Sequence, residues 1–250
     1  YGSGENYGVV SGTSFSALLP GDGIFKSTDR GLSWSLLPST VSGDPQVYTR
    51  TGSFKQVNSI VVDPTRNDSD IVLAAVFNGI FRSNDGGATW ASVLGLDTAA
   101  STSTYTDLRV TTTGVYYAAI SNGSPSEGLW RSSDGLTWTE ITPTGWSASP
   151  GRAVLAIDPS GQDTVWFFAN TPSVGVHEHS LWRYTYLSGD GSGAGGAWSN
   201  RTAHLPNGTC TGLFNFDFGY INSQDGYDMC IAVDPTFSNV VFIGGTSVYR

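Results

Sequence analysis

The chain has 250 residues and carries 12 Lys+Arg against 21 Asp+Glu, a net charge of −9. So few cations, only Lys26 and Lys55 among them lysines, exclude a broad phosphate-binding surface and a polybasic membrane patch. The longest apolar run, Ile71 to Phe77, has seven residues, far short of the roughly 18 that a spanning helix needs.

Charged residues make 13% of the chain, whereas 32 Ser, 26 Thr and 32 Gly dominate it. That composition disfavours helices and suits short strands joined by polar turns. A hydroxyl-rich surface also fits a secreted protein. The chain begins at Tyr1 rather than Met, so a processed chain or a piece of a longer one is expected.

An internal repeat organises the sequence. Its first element reads Gly23-Ile24-Phe25-Lys26-Ser27, then Gly79-Ile80-Phe81-Arg82-Ser83, Gly128-Leu129-Trp130-Arg131-Ser132, Ser180-Leu181-Trp182-Arg183-Tyr184 and Ser247-Val248-Tyr249-Arg250. The aromatic positions lie 56, 49, 52 and 67 residues apart. Each segment alternates an aliphatic, an aromatic and a cation, as a strand does.

A turn follows each of the first three strands. It reads Ser27-Thr28-Asp29-Arg30-Gly31-Leu32-Ser33-Trp34, Ser83-Asn84-Asp85-Gly86-Gly87-Ala88-Thr89-Trp90 and, one residue shorter, Ser132-Ser133-Asp134-Gly135-Leu136-Thr137-Trp138. The fourth copy is interrupted by a Gly/Ser-rich insertion, 188–196, ahead of Trp198. The chemistry predicts a hairpin. The Asp carboxylate accepts turn N–H groups, a Gly takes positive φ, and the Trp packs back into the sheet.

A third element precedes each aromatic strand. It reads Ile60-Val61-Val62-Asp63-Pro64, Leu155-Ala156-Ile157-Asp158-Pro159 and Ile231-Ala232-Val233-Asp234-Pro235, with Thr113-Gly114 in the third copy. An apolar strand comes next each time. Four antiparallel strands per 50–60 residues are the blades of a β-propeller.

The Ser-x-Asp-x-Gly-x-Thr-Trp pattern resembles the Asp box, or BNR repeat, and the resemblance covers the whole chain. Known members include sialidases, xyloglucan-degrading enzymes, sortilin/Vps10 receptor domains and large secreted bacterial proteins. The segment Gly226-Tyr227-Asp228-Met229-Cys230 is most similar to the sortilin-like secreted bacterial group. The resemblance implies an all-β propeller outside the cell. Blades are expected at about 1–50, 51–100, 101–150, 151–208 and 209–250. That is about four and a half blades of a larger propeller, the rest supplied by the same longer chain or by a partner chain. Asp29, Trp34, Asp85, Trp90, Asp134 and Trp138 are then structural.

Ligands of propellers usually bind at one mouth of the channel that the inner strands line. Counting six residues back from Asp63, Thr113, Asp158 and Asp234 gives Val57, Asp107, Arg152 and Asp228. Asp107 and Asp228 are therefore candidates for the acid and base of a glycoside hydrolase. Arg152, Arg109, Asn58 and Tyr227 are candidate ligand-binding groups, and Trp146 a candidate sugar-stacking ring. The Arg-Ile-Pro motif of sialidases and the Arg-Thr-Asp-Ile-Gly-Gly segment of xyloglucanases are absent from the sequence. The leading expectation is a recognition or scaffold propeller that binds glycans. A hydrolase and a sortilin-like receptor gripping peptides by strand addition are the alternatives.

Four smaller features complete the reading. Cys210 and Cys230 can close one disulfide in an oxidising compartment. Asn67, Asn122, Asn200 and Asn207 each open a glycosylation sequon. Asp63, Asn67, Asp68 and Asp70 offer the oxygen donors that calcium takes, without EF-hand spacing. His177-Glu178-His179 reads as a solvated loop with too few ligands for zinc. No cofactor is otherwise implied.

Overall fold

The structure is a computed structural model. It describes residues 21, 23–41, 52–66, 71–77, 79–95, 105–121, 126–172, 174–208, 221, 223, 226–245 and 248–249. Asn67, Asp68, Asp70, Asn122 and Cys210 lie outside these residues, and with them the calcium turn, two sequons and the disulfide.

The described chain is all-β apart from short 3-10 turns. The first blade contributes β1 (Phe25–Lys26) and β2 (Ser35–Leu36). The second holds β3 (Val57–Val62), β4 (Val72–Val76), β5 (Gly79–Ser83) and β6 (Ala91–Gly95), paired in that order. The third holds β7 (Thr106–Val110), β8 (Tyr116–Ile120), β9 (Gly128–Ser132) and β10 (Thr139–Glu140). The fourth holds β11 (Ala153–Ile157), β12 (Thr164–Asn170), β13 (His179–Tyr186) and β14 (Gly196–Asn200). The fifth holds β15 (Cys230–Val233), β16 (Val241–Gly244) and β17 (Val248–Tyr249). All pairings are antiparallel. The inner strands β3, β7, β11 and β15 pack side by side, which makes the arc of a propeller.

Strands inside a blade are apolar on both faces because each face meets a different neighbour. In β8, Tyr116, Ala118 and Ile120 pack towards the second blade, while Tyr117 and Ala119 pack towards the fourth. In β12, Val165, Phe167 and Ala169 turn to the third blade and Phe168 to the fifth. The cores therefore lie between blades, and the two-residue period sorts side chains between them.

The Asp turns build as their chemistry requires. Asp85 Oδ1 accepts the Thr89 N–H at 2.8 Å and the Ser83 hydroxyl at 2.7 Å, and Ser83 Oγ accepts the Gly87 N–H at 2.8 Å. Asp29 makes the same set with Ser33, Ser27 and Gly31. Asp134 accepts Leu136 and Thr137 N–H in its shorter turn. Gly31, Gly87 and Gly135 all have φ between 70° and 95°.

Two tryptophans pack into their own blades, Trp90 on Phe54 and Trp138 on Tyr116, and reach beyond them. Trp90 reaches a cluster that includes Ile24 and Leu37 of the first blade, and Trp138 one that includes Leu73 and Ile80 of the second. Each ring thus closes the seam to the preceding blade while packing against its own. Trp34 has no such neighbour among the described residues and is 54% exposed.

A latch that the sequence pattern does not announce runs the other way. The strand cation bonds the turn of the next blade: Lys26 Nζ donates to Gly86 O at 3.1 Å, and Arg131 Nη1 to Asp190 O at 3.2 Å. Asp190 lies in the 188–196 insertion, which thus occupies the place of the fourth Asp turn. A Cβ on Gly87 would strike Leu37 at 2.5 Å, so this glycine is also needed for blade-to-blade approach.

Two outcomes follow. Leu155, fully buried between the third and fourth blades, should cost about 2–5 kcal/mol when cut to Ala. Leu136→Ala, at a site 55% exposed, should stay within about 0.5 kcal/mol; urea denaturation measures both. Hydrogen bonds from Thr89 to Asp85 and from Ser33 to Asp29 hold both carboxyls down to about 2. The support they give the turns is complete above about pH 4 and is lost as pH falls towards 2. Carbon-detected NMR of the Asp carboxyls should find both midpoints near that value, and midpoints near 4 would contradict the turn chemistry.

Candidate functional site

The inner strands begin at one mouth of the channel. Their edges present backbone groups that no fifth strand pairs, and polar side chains collect there. Four hydrogen bonds fix how these strands align. Asp63, Thr111, Asp158 and Asp234 each donate their N–H back to the start of the next strand, to Ile71, Val115, Thr164 and Val240. The counterpart of the Asp-Pro aspartate in the third blade is therefore Thr111, not Thr113. Its Oγ1 accepts the Val115 N–H at 2.9 Å, doing the work of a turn carboxylate.

This moves Asp107 two places along the strand. It aligns with Ser59, Val154 and Cys230, while Tyr105 stands level with Arg152 and Asp228. Asp107 is 6% exposed. Its Oδ1 accepts Leu108 N–H at 2.9 Å and Arg109 Nη1 at 2.6 Å; its Oδ2 accepts Leu155 N–H from the fourth blade at 3.0 Å. Burial pushes the carboxyl above its ordinary value, while Arg109, these N–H groups and Arg152 pull it back. All three bonds come from N–H donors, which suits the carboxylate form. Both oxygens are engaged, so Asp107 clamps the third blade to the fourth.

The other candidates meet at the same mouth with different duties. Asn58 sits at a β-bulge in β3, which re-aims its side chain. It donates to Thr106 Oγ1 of the third blade at 3.1 Å and accepts from Gln56 at 3.0 Å. Arg109 lies over the edge of β7, with Nη1 also on Ser59 Oγ and Leu108 O, and its side chain is 41% exposed. Arg152 Nη1 donates to Tyr227 O at 2.7 Å and Gly226 O at 3.4 Å, and its guanidinium stands 5.9 Å from the Tyr105 ring. Asp228 is half-buried, its N–H bound to Ser223 O.

Trp146 is half-buried. It packs against the core of the third and fourth blades, 6.2 Å from the Trp182 ring. Cys230 is exposed on β15. Asn200 and Asn207 are exposed, as a glycosylated Asn must be. Asp63 Oδ1 is taken by Thr65 N–H and hydroxyl. Among the described residues no group of His, Cys, Asp and Glu is arranged to hold a metal, and no helix is long and apolar enough to cross a membrane. His179, expected in a solvated loop, is 3% exposed.

No family model matches the chain, and no curated protein matches it. Solved structures do. The GH74 enzyme of Niastella koreensis superposes with a TM-score of 0.61 at 18% identity over 90% of this chain and 32% of that one. The GH93 α-L-arabinofuranosidase of Fusarium graminearum, solved with arabinobiose, gives 0.42 at 12% identity over 89% and 66%. The chain thus spans about a third of the first enzyme's length. The fold is a partial β-propeller, similar in architecture to the Niastella enzyme over the matched part.

Removing the clamp should be costly. Asp107→Ala leaves the N–H groups of Leu108 and Leu155 without their acceptor in a buried place, a loss of about 2–5 kcal/mol. Asp228→Ala removes no side-chain bond between described residues and should cost under about 1 kcal/mol. Denaturant titration of the two variants gives the comparison.

Proposed function

We propose that the chain is part of an extracellular Asp-box propeller that binds glycans at the channel mouth and does not cleave them there. The observation that carries this reading is Arg152. Its fork is anchored through Nη1 alone among the described residues, beside the Tyr105 ring and the backbone of Tyr227. An anchored, half-buried guanidinium next to an aromatic ring offers directed N–H donors and an apolar face, the pair that sugar hydroxyls and ring faces require. Asp228, Arg109 and Asn58 supply further polar groups around it.

The hydrolase alternative draws less support. Asp107 would have to abandon Leu155 N–H and Arg109 to act as acid or base, which leaves Asp228 without a partner carboxylate on the inner strands described here. The Ser/Thr-rich surface, the exposed sequons at Asn200 and Asn207 and the glycoside-hydrolase architecture support secretion and a glycan ligand over a sortilin-like peptide. The blades beyond the described arc come from the same longer chain or from a partner chain.

Plant and bacterial oligosaccharide arrays followed by calorimetry test the reading. A bound oligosaccharide recovered unhydrolysed is expected, with Arg152→Met weakening it about tenfold or more, roughly 1.4 kcal/mol. Release of reducing sugar abolished by Asp228→Asn would establish the hydrolase instead. Capture of peptides but no glycan would establish the receptor.

A further inference from the structure

The loop that grips Arg152 is itself held by a buried histidine. Val176 and His179 exchange both backbone hydrogen bonds across a two-residue turn. His177 and Glu178 form that turn at φ of 45° and 62°. Such a turn needs left-handed backbone at both central positions and normally uses Asn-Gly, so two ordinary L-residues are held there against their preference.

The Thr171 N–H and Asn170 Nδ2 both donate to Glu178 O, and the His179 ring completes the hold. It stacks on Phe168 at 5.5 Å, with Nδ1 2.5 Å from His177 O and Nε2 2.6 Å from Ser223 Oγ. A carbonyl only accepts, so Nδ1 carries the proton and Nε2 accepts from the Ser223 hydroxyl. Ser223 Oγ in turn accepts Gly226 N–H at 3.0 Å, and Ser223 O accepts Asp228 N–H at 2.9 Å. The next link is Arg152, donating to the carbonyls of Gly226 and Tyr227. One directed chain of bonds therefore joins the strained turn to the mouth.

We propose that His179 is a proton-sensitive clasp that fixes the 226–229 turn, and through it Arg152, only while its ring is neutral. A proton on Nε2 would turn that atom into a donor. Ser223 Oγ would then face two N–H donors, and its own hydrogen would lose its acceptor in a buried place.

The charged surroundings agree. Burial lowers the His179 pKa first of all; Glu178 and the bond to His177 O work against this, and His177 adds to it. From β12 the neighbours are Phe168 and Asn170, uncharged, and beyond Ser223 lie Arg152 and Asp228. The neutral ring is favoured in the fold, so the clasp is complete above about pH 6.5 and weakens as pH falls below it, by up to about tenfold per pH unit.

Amide hydrogen exchange of the peptide covering 226–233, corrected for intrinsic rates, tests this without any ligand. With the unaltered chain, exchange at pH 5 should exceed that at pH 7.5 by about tenfold or more. The chain has three His, so the controls are complete: His177→Gln and His204→Gln should keep the drop in protection, and His179→Gln should abolish the difference. A difference that persists in His179→Gln would assign it to Asp107 or another carboxyl and overturn the proposal. Should that variant fail to fold, NMR of the native ring decides. A midpoint well below 6.5 is expected, and one at or above it ends the idea.

Discussion

A propeller's inner strands each have one edge with no further strand beside it, and the groups along that edge must find partners. In this molecule the preceding blade provides them. Asp107 takes Leu155 N–H, Ser59 Oγ takes Leu108 O, and Arg152 takes Tyr227 O. The three seams from the second blade to the fifth are thereby closed at the channel by side chain to main chain. Farther out the seams are closed by apolar packing, and two of them at the far rim by a strand cation, Lys26 on the Asp turn and Arg131 on the 188–196 insertion. Blades have no core of their own, so these seams are where the fold is stabilised.

This constraint explains which residues remain for ligands. A polar group at a channel mouth looks functional because charged residues are rarely kept in walls without reason. Here the reason is the unpaired strand edge. Asp107 and Asn58 are used up in crossing to the next blade. Arg109 and Arg152 differ because a guanidinium has five donors in a fixed fork. One nitrogen can hold a seam while the rest of the fork faces the mouth.

The sequence disclosed what repeats and concealed what does not. Alternation in Tyr116–Ile120 and the Ser83/Asp85/Gly87 spacing carry their meaning locally, since the bonds they make lie within four residues. The Asp107 position was misjudged because a threonine hydroxyl at Thr111 replaces a carboxylate, and Thr111 to Thr113 offer three similar candidates in a row. The latch cations Lys26 and Arg131 look like solvent-facing strand residues, and their targets lie 60 and 59 residues away. Trp146 has no local pattern that separates a packed ring from an open one. The His177-Glu178 turn lacks the Asn and Gly that would have marked it, because bonds from Thr171 and Asn170 to Glu178 O and from the His179 ring to Ser223 hold it in place of local preference.

On the proposed reading, stability and recognition share atoms at the mouth, and this limits how the two can vary. Arg152 binds the 226–229 turn through the same group that it would turn to a ligand. Its pose therefore depends on Ser223, and Ser223 depends on His179. A carboxylate clamp such as Asp107 lacks that freedom: with three N–H donors on two oxygens it can hold a seam or do chemistry, but not both. With the inner aspartate committed to the wall, the proposed recognition falls to guanidinium and aromatic ring, and an acid–base pair would have to stand on other blades.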